Sequence, residues 1–167
     1  YVIASQVYPN RTDELIKACA SFLPTGNRSQ WVHWHGSQLF LDAYNANPSS
    51  MKLAASEFYE TYLSKVSGDS RCLLVIGDMN ELGDEAPSYH KELGQFLTKF
   101  ERSDVVYLGR YKKDFESGYK GNLLISKTEP SLADGELEQV KSYSWIFVKA
   151  SRSLQLESVL DIKESTT

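Results

Sequence analysis

Apolar residues recur along this chain in two alternating rhythms, and the switch between them marks the elements. Behind Pro9-Asn10-Arg11-Thr12, where Asn or Thr supplies a cap, Leu15, Ile16, Cys19, Ala20 and Leu23 fall at helical spacing, and Pro24-Thr25-Gly26-Asn27 ends that helix. Two short β-type runs over 30–35 and 38–42, joined by Gly36-Ser37, read as a hairpin. A regular order follows. Met51, Ala54, Ala55, Phe58, Tyr62 and Val66 mark a helix, 72–77 is a continuous apolar strand, and Tyr89, Leu93, Phe96, Leu97 and Phe100 mark a second helix. Residues 104–109, 122–125 and 145–148 supply three more strands, with a helix over 131–140 between the last two and a closing helix over roughly 153–160.

Strands without polar positions meet water on neither face, so they need helices on both sides of the sheet. The expected fold class is therefore α/β, a doubly wound, mostly parallel, Rossmann-like sheet. Residues 1–7 are strand-like and lead into nothing, so the chain reads as a fragment.

Composition narrows the partners more than the fold. The 167 residues carry 18 basic and 22 acidic side chains, a net charge of -4, which opposes a phosphate backbone and argues against nucleic acid as a partner. No apolar run approaches the roughly 20 residues that cross a bilayer, and the start lacks the order of a signal peptide. The expectation is no membrane partner and a cytoplasmic location. Cys19 and Cys72 stand apart in apolar contexts, which reads as two reduced core thiols.

In a sheet of this kind ligands bind beyond the carboxyl ends of the strands. The loops after Leu41, Gly77, Gly109, Ile125 and Val148 are thus the places to search. The first, Asp42-Ala43-Tyr44-Asn45-Ala46-Asn47-Pro48-Ser49-Ser50-Met51, is rich in polar groups, and its plain reading is a turn plus a helix cap. The second, Gly77-Asp78-Met79-Asn80-Glu81-Leu82-Gly83-Asp84-Glu85, puts an acid directly after a buried strand. Its plain reading is a solvated loop with acids at a helix N-terminus, and His90 one turn on reads as a surface histidine or one pointing back to the loop. The third, Val148-Lys149-Ala150-Ser151-Arg152-Ser153, offers two cations and two hydroxyls near a helix start, a set suited to a carboxylate or phosphate, with Ser153 as the natural cap. His33 and His35 share one face of the hairpin but lack a third ligand, so no metal site is expected. The chain contains no G-x-x-x-x-G-K-[ST] loop, no G-x-G-x-x-G turn and no G-x-S-x-G elbow.

These three loops in this order, with His90 and Gly94 after the second, resemble the signatures of the Mur ligase family, in its branch that adds D-alanyl-D-alanine. Pro24-Thr25-Gly26-Asn27-Arg28-Ser29-Gln30 is similar to the family segment joining the central to the C-terminal domain. The likeness covers nearly the whole chain and is weakest between about residues 111 and 142. It implies a three-domain, ATP-dependent, amide-forming ligase of peptidoglycan precursor synthesis. Residues 1–26 would be the tail of the central ATPase domain and the linker, and residues 27–167 the C-terminal domain.

In that scheme the central domain supplies the phosphate loop and most ligands of Mg2+. The C-terminal domain closes over ATP and brings D-Ala-D-Ala to UDP-MurNAc-tripeptide, with the central and N-terminal domains as its partners, and alone it is inactive. Carried over by position, Arg28 reaches the ATP phosphates, Asp42 and Asn45 lie near the nucleotide, and Tyr44 and Asn47 shape the interdomain cleft. Lys149, Ser151 and Arg152 sit near the dipeptide, and Asp78 and His90 line the same cleft. No catalytic residue and no metal ligand is assigned within this chain. Ala43 stands where the family usually has Ser or Cys, removing a hydroxyl from the nucleotide side. Ala150 stands where it has Gly, restricting the backbone if that position needs positive φ. Two other readings remain: a ligase of the same superfamily adding another amino acid, and a stand-alone, non-catalytic binding module.

Overall fold

Two strands buried at every position organise the molecule. The computed structural model describes residues 11–20 and 27–162. After a helix α1 (Thr12–Ala20) come β1 (Gln30–Trp34), β2 (Ser37–Asp42), α2 (Pro48–Lys65), β3 (Cys72–Gly77), α3 (Ala86–Leu97), β4 (Ser103–Leu108), α4 (Lys112–Gly118), β5 (Asn122–Lys127), α5 (Asp134–Lys141), β6 (Trp145–Lys149) and α6 (Leu156–Val159). β3 and β4, apolar or buried along their whole length, are adjacent inner strands of one six-stranded sheet of order β1-β2-β6-β3-β4-β5. All neighbours pair in parallel except β1, which runs antiparallel to β2 at the edge.

The two-residue period of a strand sorts the core into two layers. Leu73, Val75, Val106, Ile146 and Val148 face one side and pack with Val140, Leu154, Leu156 and Leu160. Leu74, Ile76, Val105, Tyr107 and Phe147 face the other, against Met51, Phe58 and Tyr62 of α2, Leu93 and Leu97 of α3 and Phe115 of α4. Helices thus cover both faces, as the doubly wound pattern requires. Cys72 is a buried free thiol whose burial pushes its pKa up to about 12. The side chain of Cys19 and the expected strand over 1–7 lie outside the described residues, as does the expected end of the first helix near Leu23.

Three local expectations change. The hairpin turns one residue earlier, on His35 (φ 46°) and Gly36 (φ 86°), because Trp34 pairs with Ser37 and a two-residue turn of this hand needs positive φ at both centres. α4 was not legible as a helix. It lies against α3 where both backbones are bare: a Cβ on Gly94 would sit 2.5 Å from the Phe115 carbonyl oxygen, and one on Gly118 2.0 Å from that of Lys91. The closing helix is broken into a 3-10 turn, Arg152–Leu154, and the short α6, because Gln155 adopts the left-handed region at φ 46° and ψ 47°.

Candidate functional site

Parallel strands end together, so β2 and β6 place their last residues side by side. Asp42 is in register with Lys149, and opposite charges meet at the carboxyl edge of the sheet. Lys149 is 1% exposed, and an ammonium at that depth needs partners. It donates to Asp42 Oδ2 and, at 2.8 Å, to the Asn45 carbonyl. The other Asp42 oxygen accepts the Ser29 N–H at 3.3 Å.

Around this pair opens a cleft of about 290 Å³ lined by Arg28, Ser29, Asp42, Tyr44, Asn45, Asn47, Ser50 and Lys149. The exposed Arg28 lays its guanidinium over the Tyr44 ring, 3.7 Å from the centroid, which fixes a long cation without neutralising it. Asn47 lines the cleft and also caps α2: its Oδ1 accepts the Ser50 N–H at 2.9 Å, and Ser50 Oγ accepts the Asn47 N–H at 3.1 Å. The cap that the sequence suggests is therefore one wall of the cleft.

The β3 loop is built differently. Asp78 is buried at 4% exposure and accepts three hydrogen bonds, from the Tyr107 hydroxyl (2.7 Å), the Arg110 N–H (2.9 Å) and the Tyr111 N–H (3.3 Å). A Cβ on Gly109 would lie 2.2 Å from its carboxylate, so only glycine admits this approach. His90 is fully buried rather than on the surface. Its Nδ1–H donates to the Ala86 carbonyl at 2.6 Å and its Nε2 accepts the Met79 N–H at 2.9 Å, which defines a neutral ring stacked on Tyr111 at 4.3 Å. Burial lowers its pKa, against the nearby Ala86 carbonyl and Asp78. Asp78 and His90 thus hold the β3 loop from behind.

The β6 loop is tied to the β3 loop by three hydrogen bonds. The Ser151 N–H donates to the Asp78 carbonyl at 2.9 Å, Ser151 Oγ accepts the Asn80 N–H at 2.9 Å, and Asn80 Nδ2 donates to Ser153 Oγ at 2.7 Å. Ser153 is therefore a clasp residue and not the cap expected of it. Arg152 stays half exposed and pairs with Glu157 at 2.7 Å.

The ten residues singled out from sequence thus fall into two groups at one sheet edge. Arg28, Asp42, Tyr44, Asn45 and Asn47 share the cleft with Lys149, while Asp78, His90, Ser151 and Arg152 belong to the joined β3 and β6 loops. Ser29, Ser50, Asn80 and Glu157 were missed as members. Asn80 stood inside a quoted motif, but nothing local announced Glu157. Among the described residues no group of three or more His, Cys, Asp or Glu is placed to hold a metal ion, and no helix is long and apolar enough to cross a membrane. Ala43 points into the core at 1% exposure, so a hydroxyl there would not face the cleft. Ala150 is buried without positive φ, and its Cβ fills the space left by Gly77.

Comparison with known proteins gives a consistent answer. The family model for the Mur ligase, glutamate ligase domain, matches residues 27–152. A Bacillus subtilis (strain 168) protein named UDP-N-acetylmuramoyl-tripeptide--D-alanyl-D-alanine ligase is 30% identical over 92% of this chain and 34% of its own length. One of the same name from Buchnera aphidicola subsp. Baizongia pistaciae (strain Bp) is 33% identical over 90% of this chain and 32% of its own. The chain spans about one third of the length of the curated relatives it matches. Among solved structures, MurF from Acinetobacter baumannii superposes with a TM-score of 0.75 at 20% identity, covering 96% of this chain and 34% of that one. MurF ligase from Thermotoga maritima in complex with ADP gives 0.61 at 25% identity, over 85% and 31%.

Proposed function

This chain belongs to the Mur ligase family through its glutamate ligase domain, and on that premise we propose that it is the C-terminal domain of the ATP-dependent ligase that adds D-alanyl-D-alanine to UDP-MurNAc-tripeptide in peptidoglycan precursor synthesis. The names of the relatives support the substrate pair, and the ADP complex of the Thermotoga maritima enzyme supports a nucleotide. The observation that carries the reading is the cleft at the carboxyl edge, where Arg28 on Tyr44 and Lys149 on Asp42 present two cations to one opening.

Residues 1–26 are read as the end of the central domain with its linker and residues 27–167 as the C-terminal domain, a division supported by the family match that begins at residue 27. Arg28 takes the ATP phosphates, Asp42 and Asn45 the nucleotide, and Tyr44 and Asn47 shape the opening. Lys149 moves to the nucleotide side, because its ammonium is held between Asp42 and Asn45. Ser151 and Arg152 receive the dipeptide carboxylate, with Asp78 and His90 positioning their loops. Mg2+ would come with ATP, and the residues that would hold it belong to the central domain. The location is cytoplasmic.

In the reaction the tripeptide carboxylate takes the γ-phosphoryl group of ATP, and the dipeptide amine displaces phosphate from the acyl phosphate to form the amide. The contribution of this domain is to hold two reactants in register and to keep water from the acyl phosphate on closing. The test is ADP release by the full-length gene product given UDP-MurNAc-tripeptide, ATP and Mg2+. Turnover that appears only on adding D-alanyl-D-alanine is expected. Turnover with a different amine, or dipeptide binding without turnover, would replace this reading.

A further inference from the structure

The chain turns sharply just after Arg152, and the turn has a chemical result. Oppositely charged residues meet on a continuous helix when they are three or four apart, not five. Here the left-handed Gln155 breaks the helix, and Glu157, five positions on, comes back to Arg152: Nη1 donates to Oε1 at 2.7 Å. The two ends of this pair are unequal. The Arg152 side chain is 51% exposed and that of Glu157 10%. The second carboxylate oxygen, Oε2, is buried and has no hydrogen-bond partner among the described residues.

A surface ion pair that only decorates the fold is wetted at both ends. This one sinks the acid and leaves the base out, and a buried carboxylate with an unmet oxygen costs stability. Its one engaged oxygen meets one corner of Arg152. A guanidinium has five N–H donors and offers a carboxylate two forks. With Nη1 engaged, the Nε and Nη2 edge has no partner among the described residues. On the preceding residue, Ser151 Oγ accepts the Asn80 N–H, which leaves its own hydrogen free to donate.

We propose that Glu157 is a positioning residue for the dipeptide end of the site: it holds Arg152 by Nη1 so that the Nε–Nη2 fork stays open to the carboxylate of D-alanyl-D-alanine, with Ser151 Oγ donating alongside. The proposal rests on the reading above that Arg152 receives this carboxylate. Glu157 itself does not touch the dipeptide. It acts by removing the guanidinium's choice of rotamers before the ligand arrives, which is where a long cation otherwise loses affinity.

The experiment uses the full-length ligase, with D-alanyl-D-alanine and ATP varied separately. Glu157→Gln keeps the size and one acceptor but removes the charge. It is expected to raise KM for the dipeptide about tenfold, with KM for ATP and kcat within about twofold of the parent. A dipeptide whose carboxylate is replaced by an amide provides the second readout: the parent discriminates against it, and in Glu157→Gln the gap narrows by the same factor. A merely structural role would move both KM values or kcat and leave the amide discrimination intact. If Glu157→Gln does not fold, Glu157→Asp, which keeps the charge but falls short by one methylene, takes its place with the same two readouts. An unchanged dipeptide KM in the Glu157 variant, while Arg152→Ala raises it, overturns the proposal. An unchanged KM in Arg152→Ala as well overturns instead the assignment of Arg152 to the dipeptide.

Discussion

The two ends of one mostly parallel sheet each hold an ion pair with a buried partner, and they use it in opposite ways. At the amino end Asp104, 4% exposed, accepts from Arg71 Nε (2.8 Å), Asn122 Nδ2 (2.8 Å) and the Tyr143 hydroxyl (2.7 Å). Arg71 in turn donates to the carbonyls of Glu101 and Ser103. Burial alone would raise the pKa of Asp104, but the hydrogen bonds from Tyr143, Asn122 and Arg71 overcome that and hold it below the usual carboxylate range. At the carboxyl end, among the described residues, Lys149 has two partners for three N–H donors, and Arg152 has one for five. At the amino end each of the three guanidinium nitrogens of Arg71 has an acceptor, which staples the strand starts together. Whole nitrogens left without an acceptor, as at Arg152, are arranged to meet something else.

The amino end should therefore fail as structure. Asp104→Ala removes the acceptor shared by Arg71 Nε, Asn122 Nδ2 and the Tyr143 hydroxyl, while Arg71, 38% exposed, keeps the carbonyls of Glu101 and Ser103, and the expected loss is roughly 2 kcal/mol of folding stability. Urea unfolding of this chain measures it. On the function proposed above, the full-length protein carrying this change should keep the parent's KM for ATP. A loss of under about 0.5 kcal/mol, the ordinary scatter of surface changes, would mean that the network is not a staple.

The carboxyl end should fail as binding. Arg28 is exposed and, among the described residues, its guanidinium rests on the Tyr44 ring, so Arg28→Ala removes one cation from the cleft with little effect on the core. On the function proposed above, KM for ATP of the full-length protein is expected to rise about tenfold, as for one charge-assisted contact, with the unfolding midpoint unmoved. Tyr44→Ala should give part of the same effect, because the ring holds the guanidinium. Loss of stability without loss of ATP affinity would erase the contrast between the two ends.

How legible each end was in the sequence follows from the range of the contacts. The run 72–77 announced a buried strand because burial on both faces leaves no polar position, and the motif loops could be located because ligands gather beyond strand ends. The pairing of Asp42 with Lys149 was not legible. It depends on β6 being inserted between β2 and β3, a strand order that no local pattern encodes. α4 escaped for a different reason: Phe115 and Tyr119 are too few to show a period, and the helix is held by backbone contact at Gly94 and Gly118. The break at Gln155 escaped because glutamine carries no preference for positive φ, so the Glu157 contact it creates had no signal either. Ala43 was assigned to the nucleotide side by likeness alone, whereas the alternation of β2 continues past its end and turns the methyl inward.

His90 joins the two kinds of end, since it is buried like Asp104 but supports the loop that carries Asn80. Its folded pKa lies below the ordinary value of about 6.5, first because of burial, with Arg110 adding to the effect and the Ala86 carbonyl, Asp78 and Asp114 opposing it. The sign follows from proton counts. Below pH 6.5 the unfolded chain takes up a proton that the folded ring refuses, so stability present above pH 6.5 is lost as the pH falls toward the folded value. The expected loss from this group is at most about 1 kcal/mol between pH 6.5 and 5.5, and it should vanish in His90→Gln, whose side chain does not titrate. Urea midpoints of the two proteins across that window measure the difference. Parallel pH curves would show that His90 takes up its proton in the fold as readily as in the unfolded chain, which the Nε2 contact with the Met79 N–H does not allow.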